Sequence, residues 1–287
     1  LHADANQDAN RTVLTLAGSP QAVRRASFAL VQAAAALLDM RTQHGAHPRI
    51  GAVDVCPFVP VREMTLAEAA AQAQQLGHEI AERLHIPVYF YEANAAGAER
   101  KNLAFIRRGE YESLPEKLKV LPPDLGPHTW DESVARTGAS VVGARNFLLA
   151  YNVSLNTQDV AVAKEIASVL REKNDGLPAV KAIGWLMPGY RAAQVSFNLT
   201  DYHRTGLAGV FEACRREAKK RGLDTAGSEL IGLAPEEALL QAGRFYVPDE
   251  TDQTALLQAA VTQLGLNKIR PFNVRERILE YRLQDVL

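Results

Sequence analysis

The sequence predicts an α/β fold, α+β in its sheet pattern: two ferredoxin-like lobes, each a mixed or antiparallel sheet covered by helices. Three observations carry this. The second half of the chain runs β-α-β-β-α-β, the split βαβ order. The first half alternates short apolar strands with amphipathic helices. The chain has 287 residues, 47% apolar and 23% charged, which suits two ordinary globular domains and excludes a disordered or collagen-like chain. The lobes divide as residues 1–147 and 148–287, with no low-complexity linker between them.

Thr12 to Ala17 reads as the first strand, rich in β-branched and apolar residues. Ser19-Pro20 supplies an N-cap with proline at the first helical position, and Val23, Ala26, Leu30, Ala34 and Leu37 mark a helix buried on most sides. Val53 to Val59 is a second strand. Thr65 and Glu68 form a capping box for a helix whose stripe is Leu66, Ala69, Ala73, Leu76, Ile80 and Leu84. Pro87 to Tyr91 is the next strand, and residues 110–138, rich in proline and glycine, read as irregular.

In the second half, Phe147, Leu149, Tyr151, Val153 and Leu155 alternate with Asn146, Asn152 and Ser154. A helix from Thr157 to about Asn174 closes at Gly176. Strands follow at Val180 to Met187 and Ala193 to Asp201. A helix ending at Gly222 and a short strand from Ser228 to Leu233 complete the motif. Two further helices lie near 250–264 and 274–283.

Composition narrows the function. Lys and Arg total 32 against 33 Asp and Glu, so the net charge of −1 argues against a dedicated nucleic-acid partner. The longest apolar stretch, Ala26 to Leu38, is broken by Gln32 and is too short to span a bilayer, so no membrane partner is expected. Cys56 and Cys214 read as free thiols in a reducing compartment, which makes the expected location cytoplasmic. The chain opens on Leu1 rather than Met, which leads to the expectation that the natural N-terminus is missing. No Gly-x-Gly-x-x-Gly or Gly-Lys-Ser/Thr loop is present, and Gly138 to Gly143 is one residue too long for a nucleophile elbow. The basic run Arg215-Arg216 with Lys219-Lys220-Arg221 reads as a solvated helix face.

The densest polar cluster is His44-Gly45-Ala46-His47-Pro48-Arg49, followed by Asp54 and Cys56. It forms a loop between a helix and a strand, where functional side chains concentrate, and histidine moves protons near neutral pH. Taken alone, the cluster fits a proton-transfer site, a polar surface loop or, less well, a metal site whose spacing matches no standard zinc pattern.

The block His44 to Val61 resembles the signature of glutamate formimidoyltransferases, an activity also found in the N-terminal part of formimidoyltransferase-cyclodeaminases. Further blocks match in order: Asn10 to Val13, Gly138 to Phe147, Ala150 to Asn152, Gln194 to Leu199, Gly227 to Leu233 and Glu276 to Tyr281. The resemblance implies transfer of a formimino group from N-formimino-L-glutamate to N5 of tetrahydrofolate, releasing glutamate, in histidine breakdown. The co-substrate is then tetrahydrofolate, as its polyglutamate, no metal is expected, and a homodimer is possible. It also implies a folate cleft where the two subdomains meet. A stand-alone transferase is expected, with a non-catalytic folate-binding or interaction protein as the alternative.

The resemblance places the catalytic histidine on His47, with His44 a supporting or surface residue, and puts Asp4 near the site, orienting His47 or stabilising the cationic formimino group. It places the folate loop between Gly126-Pro127 and Thr137-Gly138, with His128 and Thr129 inside it. Arg49 is a candidate carboxylate anchor through bidentate pairing, with an ordinary ion pair as its alternative. Arg145, and more distantly Arg191 and Arg244, would make the cleft locally basic. Asn152 and Asn198 lie on polar strand faces, and Glu229 stands where some members carry glutamine. Two more departures are the absence of the family's first strand and a segment from Gly126 to Gly138 longer than in animal members.

Overall fold

The structure is a computed structural model that describes residues 1–284. Its strands and helices pack into two units. One unit comprises residues 16–146; the other combines residues 1–15 with the chain from residue 147 onward. The spatial division therefore differs from the chain-order one in the N-terminal segment. That segment is a hairpin of β1 (His2–Asn6) and β2 (Arg11–Thr15), in which Asp4 lies opposite Val13.

Residues 16–146 hold α1 (Pro20–Leu37), β3 (Val55–Phe58), α2 (Leu66–Leu84), β4 (Val88–Glu92), α3 (Leu103–Ile106), α4 (Leu114–Val120), α5 (Glu132–Thr137) and β5 (Ser140–Ala144). The expected capping box forms: the Thr65 hydroxyl accepts from the Glu68 N–H, and the Glu68 carboxylate accepts from the Thr65 N–H. Of the predicted α2 stripe, Ala69, Ala73, Leu76 and Ile80 are buried, and Leu66 and Leu84 at its ends are partly so. Leu76 and Ile80 are wholly inaccessible, so truncating either to Ala costs ~2–5 kcal/mol.

Three expectations for this unit are corrected. Its sheet is not ferredoxin-like but three-stranded and parallel, in the order β3-β5-β4. The central strand β5 escapes sequence reading because both its faces are covered: all five residues are buried, so no alternation marks it. Helix α1 buries only Ser27, Phe28 and Val31, and Leu37 is 81% exposed; its alanines favour a helix without demanding burial. Residues 110–138 are not irregular throughout, since α4 and α5 lie within them. Asp131 caps α5 by accepting from the Val134 N–H.

In the other unit, β6 (Leu149–Leu155), α6 (Val160–Leu170), β7 (Val180–Met187), β8 (Ala192–Leu199), α7 (Leu207–Lys219) and β9 (Thr225–Ile231) form the predicted ferredoxin-like motif. The sheet is antiparallel in the order β7-β8-β6-β9. After it come α8 (Glu236–Tyr246), α9 (Gln253–Gln263), α10 (Val274–Arg277) and α11 (Leu279–Gln284). Leu149, Tyr151, Val153 and Leu155 of β6 join Val195, Phe197 and Leu199 of β8 in the core with α6 and α7. Alternation sends Asn152, Ser154, Gln194, Ser196, Asn198 and Glu229 to the opposite face, where Asn152 lies between Ser196 and Glu229 in register. This sheet face is polar yet largely buried.

Candidate functional site

His47 stands half-buried on the loop leading to β3, and main-chain contacts fix that loop. The Ile50 N–H donates to Asp54 Oδ1 at 2.9 Å, and Ile50 C=O accepts from the Ala139 N–H at 2.9 Å. Ala52 N–H donates to Thr137 C=O, and Tyr111 N–H to Arg49 C=O, both at 2.9 Å. Arg107 pairs with the Asp54 carboxylate. Gly51 and Gly138 cross so closely that a Cβ on Gly51 would lie 2.2 Å from Ala139 O. Gly138 is held at φ +67°, a conformation that suits glycine.

These contacts give Thr137 and Gly138 a structural place. Both are buried, and the Thr137 hydroxyl donates to Ser133 C=O at 3.1 Å within α5. At the other end of the expected folate loop, Gly126 (φ +84°) packs against the backbone of Ile86, and Pro127 is half-buried. His128 and Thr129 present their side chains to solvent.

Arg49 is not a free carboxylate anchor. Its Nη1 donates to Glu112 Oε2 at 2.8 Å and to Glu110 Oε2 at 3.1 Å; its Nη2 donates to Glu112 Oε1 at 2.6 Å and to Gln43 C=O at 3.0 Å. The guanidinium holds the Glu112 carboxyl down at about 2. The ordinary ion pair is the arrangement found. His44, exposed, borders the same shallow hollow with Gly45, Gly109, Glu110 and Glu112. Arg145 donates to Asn146 C=O at 2.9 Å. Arg244 pairs with Glu237 at 2.8 Å, which removes it too as a free cation, whereas Arg191 is exposed.

The other unit contains the remaining candidates and a polar network that spacing did not reveal. Asp4, 7% exposed, accepts from Arg270 on both oxygens at 2.8 and 3.0 Å, from Arg277 at 2.7 Å and from the Gly232 N–H at 2.9 Å. Burial alone would raise its pKa, but the hydrogen bonds from Arg270, Gly232 and Arg277 outweigh it and hold the carboxyl far below the usual carboxylate range. His2 lies beside Arg277 at 2.8 Å, and burial, then that cation, lower its pKa.

Glu229, 2% exposed, continues the network. Tyr190 OH donates to its Oε1 at 2.8 Å, Gln194 Nε2 donates to its Oε2 at 2.9 Å, and Arg270 Nε lies 3.3 Å from Oε1. Gln194 also donates to Ser154 Oγ and accepts from the Trp185 indole N–H. Asn152 is 6% exposed; Asn198, further along the face, is exposed.

Structure thus groups His47 and Arg49 with Gly126 to Gly138 and Arg145 in one unit, and Asp4, Asn152, Asn198 and Glu229 in the other. Sequence reasoning missed Arg270, Arg277, Gln194 and Tyr190 as site residues. Gln194 and Arg277 lie inside matched blocks, and alternation alone puts Gln194 on the polar face; Arg270 and Tyr190 carried no local signal. No group of three or more His, Cys, Asp or Glu among the described residues is placed to hold a metal ion, and no helix among them is long and apolar enough to cross a membrane.

Comparison with known proteins divides the chain in sequence order, with residues 1–15 in the first half. Residues 1–145 match the formiminotransferase domain, N-terminal subdomain, and residues 150–284 match the formiminotransferase domain. The formimidoyltransferase-cyclodeaminase of Sus scrofa is 45% identical over 98% of this chain and 53% of its own length; that of Dictyostelium discoideum is 41% identical over 100% of this chain and 55% of its own length. The chain spans about half the length of these bifunctional relatives. The glutamate formimidoyltransferase of Streptococcus pyogenes serotype M1 is 40% identical over 86% of this chain and 83% of its own length. With residues 1–145 and 150–284 matched by the two subdomains, this chain belongs to the formiminotransferase family.

Proposed function

We propose that the protein transfers the formimino group of N-formimino-L-glutamate to N5 of tetrahydrofolate, releasing L-glutamate, as a transferase of one-carbon metabolism and histidine breakdown. The observation that carries this reading is His47, half-buried in a loop bolted to β5, in a chain matched over both formiminotransferase subdomains. Two thiols, Cys56 and Cys214, both unpaired, accord with a cytoplasmic location.

Tetrahydrofolate supplies the N5 nucleophile that attacks the formimino carbon. His47 takes the proton that N5 loses as the new C–N bond forms, then returns it to the glutamate nitrogen as the old C–N bond breaks. A single imidazole serves both steps because histidine's ordinary pKa of ~6.5 lies near working pH. Asp4, anionic throughout, is assigned to the cationic formimino group, and Oδ1, which accepts one hydrogen bond against three on Oδ2, has room for another. Asn152, opposite Glu229 on the polar sheet face, is assigned to bound substrate.

The test is incubation of the purified protein with formiminoglutamate and tetrahydrofolate, following glutamate release and the folate product together. Stoichiometric appearance of both supports the reading. Folate binding without glutamate release would leave a non-catalytic folate-binding protein instead.

A further inference from the structure

Two arginines grip Asp4, and their surroundings differ. Arg277, on α10, has a side chain 9% exposed, and the element around it is fixed: Ala234 N–H donates to Arg277 C=O at 3.0 Å. Its guanidinium closes a ring. It donates to Asp4 Oδ2 and reaches Gly232 C=O at 3.3 Å, while the Gly232 N–H donates back to the same Asp4 oxygen. Arg270, in the segment after α9, has a side chain 25% exposed and divides its guanidinium between two carboxylates, Asp4 and Glu229.

Glu229 needs a cation more than Asp4 does. Its side chain is 1% exposed, and Arg270 is the ion-pair partner found for it among the described residues. Asp4 would keep Arg277 if Arg270 were lost; Glu229 would keep only neutral donors, Tyr190 and Gln194. A buried carboxylate stripped of its cation is strongly destabilising, whereas replacing both partners of such a pair by neutral groups is often tolerated.

We propose that the two arginines have separate tasks: Arg277 positions Asp4, and Arg270 serves as the counter-charge that lets Glu229 be buried beside it. Arg277 is a positioning residue, acting through Asp4 rather than on substrate. The assignment of Asp4 to the formimino group rests on the function proposed above; the division of labour between the arginines does not.

The charged and titratable groups facing Asp4 are His2 on its own strand, Arg277 on α10, Arg270 after α9 and, through Arg270, Glu229 on β9 with Tyr190. Removing a cation from this set lets the Asp4 carboxyl rise toward its ordinary value. Its folded-state pKa lies below the unfolded one, so Asp4 stabilises the protein above the unfolded value of ~3.9 and that contribution fades as pH falls. A weaker hold moves the loss to higher pH.

The experiment compares wild type with Arg270→Met, Glu229→Gln, the double variant Arg270→Met/Glu229→Gln, Arg277→Met and Arg277→Lys. Thermal midpoint, acid-unfolding midpoint and glutamate release are read on each. Arg270→Met is expected to lower Tm by about 4–8 °C or more, with the double variant recovering most of that loss and at least about tenfold of any turnover lost. Arg277→Met is expected to raise the acid-unfolding midpoint and to cut kcat about 100-fold with little change in KM, the pattern of a misplaced reacting group. Arg277→Lys keeps the charge without the planar fork; it restores the acid midpoint but only part of kcat, and it also serves if the Met variant does not fold.

A double variant as unstable as Arg270→Met would overturn the counter-charge assignment. An acid midpoint unchanged by Arg277→Met, or a full wild-type kcat in Arg277→Lys, would overturn the positioning assignment. If wild type releases no glutamate, the proposed reaction fails, and the Tm and acid midpoints still decide between the arginines.

Discussion

The two units hold their candidate residues by opposite means. Around His47 the fixing groups are mainly backbone: Ile50, Ala52 and Arg49 exchange main-chain hydrogen bonds with Ala139, Thr137 and Tyr111, and Gly51 lies against Gly138. Around Asp4 the fixing groups are mainly side chains, with the Gly232 N–H beside them: Arg270, Arg277, Glu229, Gln194 and Tyr190 form the network. A backbone clamp fixes where the loop stands, which suits a group that must be placed to gain and lose a proton. A charge network fixes the ionisation state of its member, which suits a permanent anion. The first is vulnerable to a single added methyl, the second to a single lost charge.

The largest expected effect breaks the backbone clamp. Gly51→Ala places a Cβ against the main chain of Ala139, which has no flexible end to swing away. We expect a loss of ~3 kcal/mol or more in urea unfolding; a loss below ~1 kcal/mol would show that the loop moves aside readily.

Asp4→Asn attacks the charge network. It leaves Arg277, 9% exposed, facing a neutral amide, and should cost ~2–4 kcal/mol at neutral pH. The sign of the pH dependence follows from the depressed Asp4 pKa: wild type loses this advantage as pH drops below ~4, so the gap between the two proteins narrows in acid. A gap that stays constant from neutral pH into acid would mean that Asp4's charge does not stabilise the fold.

The smallest effect concerns Arg49. Its glutamate partners are partly exposed, so Arg49→Ala is expected to cost ~1 kcal/mol and to leave KM for formiminoglutamate within about threefold. A large rise in KM with unchanged stability would restore Arg49 as a substrate anchor.

The same contrast explains what was legible in the sequence. Period-two alternation displayed β6 and β8 with their polar faces, and the Thr65/Glu68 box displayed the start of α2, because each is a local pattern. β5 was hidden: a central parallel strand covered on both sides has no polar side to alternate. Arg49 was left open between an anchor and an ion pair because its carboxylate partners, Glu110 and Glu112, lie 61 and 63 residues away. Asp4 meets Arg270 and Arg277 across 266 and 273 residues, a pairing no local spacing encodes. His47 stood out through the uncommon block around it, whereas the clamp beneath it required the fold.

The most direct test of the central claim, that His47, on a loop held by main-chain contacts, carries the proton in formimino transfer, is turnover by His47→Ala beside wild type, with folate binding measured on the same samples. The account predicts an unchanged thermal midpoint, retained folate binding and a fall in kcat of about 10²–10⁴-fold, the usual contribution of one general acid–base group. Turnover within about threefold of wild type would contradict it, since no catalyst that lost its proton carrier keeps its rate.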